Sequence, residues 1–215
     1  MKKLIHKVLL VTVCCGLAAV STLSLSNISS SNISLSENTA PTIDSEGVVG
    51  STSKKQLEQQ AKQKVKAFTT ELKGELVTAI KTKGLSHAVN VCKEKAPEIA
   101  QSLSTDGWTV GRTSLKTRNH KNVPDQWETQ ILQTFDADLK SGTPASSLAA
   151  SNINEEAFRF MKAIPTGQVC LACHGQQVDP ELMKTIQDNY PKDTATGFTL
   201  EDIRGAFTLT KELSE

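Results

Sequence analysis

The chain has 215 residues, 22 % charged and only 4 % aromatic, and a formal net charge of +1 at neutral pH. Acids and bases are interspersed without a like-charge block, which excludes a broad nucleic-acid surface and a charged membrane-binding face. Residues 1–26 hold three lysines and no acid, so their removal takes the net charge to −2.

Lys2, Lys3 and Lys7 precede an apolar run from Val8 to Val20, and Ser24-Leu25-Ser26 fits a small-x-small cleavage site. This order predicts a secretory signal peptide over 1–26, or a retained anchor. The run of 13 apolar residues is shorter than the roughly 20 that span a bilayer as a helix. A lipid anchor at Cys14 fits less well, because bulky Val13 sits where a small residue is wanted. Residues 27–53 are rich in Ser, Asn and Thr and read as a flexible linker, since they bury too little apolar surface to offset ordering. The remainder, 54–215, is long enough for one core.

Leu57, Ala61, Val65, Phe68, Leu72, Leu76 and Ile80 recur at helical spacing and predict a long first helix that ends at Gly84 as a C′ residue. Ser86 caps a second helix with Ala88, Val91, Cys92 and Ala96 on its inner stripe, broken or kinked at Pro97. Trp108–Leu115 reads as a strand and Asn119–Asn122 as a polar turn. Pro124 opens a helix with Trp127, Ile131 and Phe135 on one face, ending near Gly142. Thr143–Ser151 reads as a loop, and Phe158, Phe160 and Ile164 as a strand that stops at Pro165. A short helix surrounds Glu181–Gln187, and Ile203–Leu209 is the last strand. The order predicts an α+β domain with an antiparallel sheet.

Signal-peptide removal leaves Cys92, Cys170 and Cys173, an odd number that full disulfide pairing cannot use. Cys170-Leu171-Ala172-Cys173-His174 is C-x-x-C-H, the attachment motif for a c-type haem. Its two thiols can add to the two vinyl groups of one haem, and the imidazole of His174 can then reach the iron. One motif implies one haem. A Cys₃His zinc set with Cys92 is an alternative, as is a thioredoxin-like thiol pair, although the helix and βαβ context of the latter are missing. Spacing alone leaves the second axial ligand open. Met161, Met183, His120 and His87 are all read as packing or surface residues first, and Cys92 is either a ligand or a small buried core residue. Arg118, then Arg112, are candidates for holding the haem propionates, against the alternative of a solvated strand face or pairing with acids of the fold. Arg204 beside Asp202 reads as a structural ion pair. Gly175 is expected to let the chain turn beneath the porphyrin.

Several stretches together resemble a known family. They are Val91-Cys92 with Ala96-Pro97, Trp108 through Arg118-Asn119, Pro124 to Trp127, the cysteine motif, and Asp202-Ile203-Arg204-Gly205-Ala206-Phe207. The chain resembles the exported c-type haem proteins with a PAS-like sensor fold and histidine/cysteine axial ligation. The resemblance implies a PAS-like domain whose antiparallel sheet is flanked by helices and preceded by a long N-terminal helix. It also implies that Cys92 is the distal iron ligand opposite His174. His120 stands where that family usually has proline, a departure that affects the turn and not the motif. The expectations are a redox or small-gas sensor, or an electron-transfer cytochrome, in the periplasm or an equivalent exported compartment. Neither is an enzyme, because two protein ligands leave no open iron position. The expected partners are haem, a small gas in the reduced state, and a redox or signalling protein.

Overall fold

Ser53 starts the first helix of the computed structural model, which describes residues 53–213. The expected signal peptide, the linker up to residue 52, Cys14 and Cys15 lie outside the described residues. Helix α1 (Lys54–Leu103) opens on a capping box, with the Ser53 hydroxyl accepting from the amide of Gln56 and the Gln56 side chain accepting from that of Ser53. The helix is interrupted at Gly84, whose φ of 83° and ψ of 178° lie outside helical space. The arms 54–83 and 85–103 fold back on one another, since Lys64 Nζ donates to the carbonyl of Leu103 at 2.9 Å. The expected break at Gly84 is thus present, but in a backbone region that only glycine occupies readily rather than the left-handed helical one of a C′ residue. Pro97 does not break the second arm. It lies exposed inside the helix, while Ala96 and Ile99 beside it are buried and keep the arm packed.

Strands β1 (Trp108–Thr113), β2 (Ala149–Ile153), β3 (Ala157–Pro165) and β4 (Ile203–Glu212) form one antiparallel sheet in the order β1-β4-β3-β2. Alternation of side chains gives the sheet two apolar faces. Phe158, Phe160, Phe207 and Leu209 face Leu57, Ala61 and Phe68 of α1. Met161, Ala163 and Ala206 face Leu132 and Phe135 of helix α2 (Gln126–Lys140). Asp125 is the N-cap of α2, so Pro124, expected to open the helix, lies just before it. Buried Glu128 ties that helix to the sheet by accepting from Thr208 Oγ1 at 2.6 Å. β2 replaces the end of the expected loop 143–151. Its Ala-Ala-Ser-Asn-Ile run has no alternation to read, and pairing with β3 alone makes it a strand.

The C-x-x-C-H motif follows β3 as a helical turn: a 3₁₀ turn at Gln168–Cys170 runs into helix α3 (Leu171–His174). Helix α4 (Pro180–Asn189), capped by Asp179, packs Leu182 and Ile186 on Val89 of the second α1 arm. The whole is the α+β architecture expected: helices on both faces of an antiparallel sheet, with a long N-terminal helix. No helix among the described residues is long and apolar enough to cross a membrane.

Candidate haem site

Cys170 and Cys173 stand one helical turn apart, so both thiols lie on the same side of the turn. Cys173 packs against the Val89–Leu182–Ile186 cluster, and Val89 is three residues before Cys92 on the same helix face. All three thiols are half-buried and free. Burial pushes the Cys92 thiol up, and the positive charges of Arg112, Arg118 and Arg204 act against that. Burial likewise raises Cys173, with Arg118 opposing. The second α1 arm therefore carries Cys92 to the motif, although it stands 78 positions before Cys170 in the chain. Among the described residues no three His, Cys, Asp or Glu side chains gather as a metal-ion set, so the Cys₃His zinc arrangement is not formed.

His174 Nδ1 lies 2.7 Å from the carbonyl of Ala195 and 3.1 Å from Arg204 Nε. A carbonyl only accepts, so Nδ1 carries the proton and Nε2 the lone pair. This is the tautomer that leaves Nε2 able to bind a metal. Arg204 is then a neighbouring charge and not a donor to that nitrogen. Burial first, then the charges of Arg204 and Arg118, hold the imidazole well below its ordinary value, so it is neutral at pH 7. Its ring stands edge-on to buried Phe198, at 6.4 Å between centroids.

The three arginines differ in what they hold. Arg118 forms a buried, two-pronged pair with Asp193, Nε to Oδ1 at 3.1 Å and Nη2 to Oδ2 at 3.2 Å, and also donates to the carbonyl of Cys173 at 2.7 Å. The expected ion pair of Arg204 with Asp202 is absent. The Asp202 carboxylate accepts from the amide of Thr199, while Arg204 sits against His174 and the Phe198 ring. The reason is a register irregularity opposite Ile164 and Pro165, where Gly205 takes a φ of 153°. Ile203 and Ala206 consequently share the α2 face despite their odd spacing, and Arg204 turns to the side of Arg112. Burial above all, then Arg118 and Arg112, draw Arg204 down to about 10. Arg112 lies 5.4 Å from the centroid of the Phe68 ring, and among the described residues no carboxylate pairs with it. Burial lowers its value too.

The other ligand candidates go elsewhere. Met161 is fully buried on the α2 face of the sheet. Met183 and His87 are half-buried and His120 is exposed. Gly175 has an ordinary extended backbone, φ −69° and ψ 179°. It is required for closeness instead, because a Cβ there would lie 2.5 Å from the carbonyl of Leu171. Arg204, Asp193, Tyr190 and Phe198 were not foreseen at the site. Only Arg204 had a signal, its place in the Asp202–Phe207 stretch.

No curated protein matches the chain in sequence. The crystal structure of the cyanobacterial heme-protein Tll0287 is similar to it, with a TM-score of 0.59 and 23 % identity, covering 76 % of this chain and 99 % of that chain. At that identity the likeness is one of fold. The model of the Tll0287-like family matches residues 52–211, and the chain therefore belongs to the Tll0287-like family.

Proposed function

We propose that the protein binds one haem, attached covalently through Cys170 and Cys173, and serves as an exported redox or small-gas sensor. The observation that carries the reading is the charge and tautomer of the site. Three arginines against one carboxylate surround three thiols and a neutral histidine whose Nε2 is free to bind. A haem brings two propionates, and Arg112 and Arg204 are the cations left to receive them. Arg118, first choice on sequence, keeps a guanidinium edge toward the motif but is already paired with Asp193. The similar cyanobacterial structure is that of a heme-protein, which points the same way.

When bound, the haem supplies an iron that changes oxidation state and takes small axial ligands. His174 and Cys92 would hold it in the ferric state. A thiolate favours ferric over ferrous iron, so Cys92 would be the ligand that weakens on reduction, and the second α1 arm the element that would respond. Export and processing of residues 1–26 place the protein in the periplasm or its equivalent, with a separate redox or signalling partner. The protein is not an enzyme in this reading.

Acid–acetone extraction of the exported protein should leave haem on the polypeptide, and the Cys170→Ala/Cys173→Ala variant should retain none. Cys92→Ala should keep covalent haem, raise the reduction potential and alter the ferric spectrum. Freely extractable haem sinks covalent attachment. An unchanged potential and spectrum in Cys92→Ala reduces that residue to packing.

A further inference from the structure

The segment between α4 and β4 has no regular structure from Tyr190 to Phe198 apart from one bridge between Phe198 and Gly175. Such a connection has no ladder of its own to fix its carbonyls, yet one of them, that of Ala195, is the partner of His174 Nδ1 at 2.7 Å. Backbone bonds hold the far end of the connection, from Gly197 to the carbonyl of Gly175 and from Phe198 to that of His174, both at 3.0 Å, and at Ala195 itself a carboxylate takes part. Asp193 Oδ1 accepts from the amide of Ala195 at 3.0 Å and from Arg118 Nε at 3.1 Å, and its Oδ2 accepts from Arg118 Nη2 at 3.2 Å. The same Arg118 Nη2 reaches the carbonyl of Cys173, the residue before His174, at 2.7 Å and that of Ala195 at 3.4 Å. Thr194, between the two, donates its amide to Thr117 at 2.9 Å. The Asp193 and Arg118 side chains are 5 % and 10 % exposed, so water does not compete for these bonds, and charge-assisted bonds of this kind are the strong ones.

We infer that Asp193 is a positioning residue for His174: through the amide of Ala195 and the guanidinium of Arg118 it fixes both the carbonyl that binds Nδ1 and the backbone that carries the imidazole. This rests on the haem reading of the preceding subsection. It goes beyond it by assigning the orientation and basicity of the proximal ligand to a carboxylate that touches neither the imidazole nor the motif. The path is Asp193 carboxylate, Ala195 amide, Ala195 carbonyl, His174 Nδ1, with Nε2 at its far end. A firmly held acceptor at Nδ1 strengthens the ligand at Nε2 and favours the ferric state. A loosened one weakens it.

The test uses the full-length haem-loaded protein. NMR of the His174 Nδ1 proton should show slow exchange with deuterium in the wild type. Asp193→Asn, which keeps the size and removes the charge, should speed that exchange by roughly tenfold or more, the factor expected when such a bond is weakened, and raise the reduction potential. The Asp193→Asn/Arg118→Gln variant returns the net charge to that of the wild type. If Asp193 acts only as a nearby negative charge, this variant recovers the wild-type potential with slow exchange, and the inference fails. If it positions the carbonyl, exchange stays fast. Asp193→Glu retains charge and fold while displacing the carboxylate, and should also speed exchange even where the Asn variant does not fold. Wild-type exchange rates in both Asp193→Asn and Asp193→Glu overturn the inference while leaving the haem reading intact. A wild type without covalent haem sinks that reading, and the inference with it.

Discussion

Tyr190 is the only tyrosine of the chain, and it packs on the Val89, Leu182 and Ile186 cluster beside Cys173. Burial above all, with the Cys92 thiol next, pushes its phenol up to about 12 from an ordinary 10. Between those values the unfolded chain has released a proton that the folded chain still binds, so stability falls as pH rises from 10 to about 12. A tyrosinate absorbance titration reads this residue alone. It should show one transition near 12, moved downward in Cys92→Ala, which removes the second cause. A transition at the ordinary value in the wild type would mean that α4 and the second α1 arm do not close over the ring. Residue types and spacing made Cys170, Cys173 and His174 legible as chemistry. They did not reveal that Arg118 is spoken for by Asp193, because nothing in the sequence relates two residues 75 positions apart. Nor did they separate the uses of glycine: Gly175 is needed for close approach to Leu171 alone, Gly205 both for a φ of 153° and because a Cβ there would lie against the carbonyl of Thr113.

Element by element, the helical arms were readable because each presents an apolar stripe at 3.6-residue spacing, and Gly84 marked their junction. The backbone at Gly84 (φ 83°, ψ 178°) costs about 1–3 kcal/mol for any other residue. No atom lies within 4 Å of a Cβ at this position, so the penalty there is conformational and not steric. Gly84→Ala should therefore lower stability by about that amount in denaturant unfolding. Gly74, inside the first arm with equally open surroundings, is the control: Gly74→Ala should raise stability by up to about 1 kcal/mol on helix propensity. Equal effects at both positions would contradict the sharp turn. β2 escaped notice for the opposite reason. An edge strand with one partner needs no alternating pattern, and its Ser151 is held by Glu58 of α1 at 2.7 Å rather than by a core. Pro97 misled because helix interiors usually exclude proline, whereas burial of Ala96 and Ile99 outweighs the one hydrogen bond lost.

For the molecule as a whole, the sheet divides labour between its faces. α2 closes one with an apolar layer and the Glu128–Thr208 bond, and α1 covers the other while delivering Cys92 to the motif. In the proposed sensor, release of Cys92 on reduction would free its arm and leave the iron able to take carbon monoxide or nitric oxide. Coupling requires only that the small ligand prefer one state of that arm. The reduced protein should bind carbon monoxide, and amide exchange across residues 54–100 should quicken relative to the oxidised form, with α2 unchanged. Reduced protein that refuses carbon monoxide and keeps its exchange pattern would make an electron carrier the better reading. The sequence by itself determined the α+β class, the helical arms, the motif and the family resemblance. These depend on local periodicity, on residues three or four apart, and on short stretches that carry their own chemistry. Only the tertiary structure decided which arginines lack a carboxylate partner among the described residues, that Arg204 and not Arg118 stands against His174, and that Asp193 accepts from the Ala195 amide in the loop beneath it. Each of those depends on one register irregularity in β4 and on loops that meet across the fold, and charge pairing between distant segments leaves no period in the chain to read.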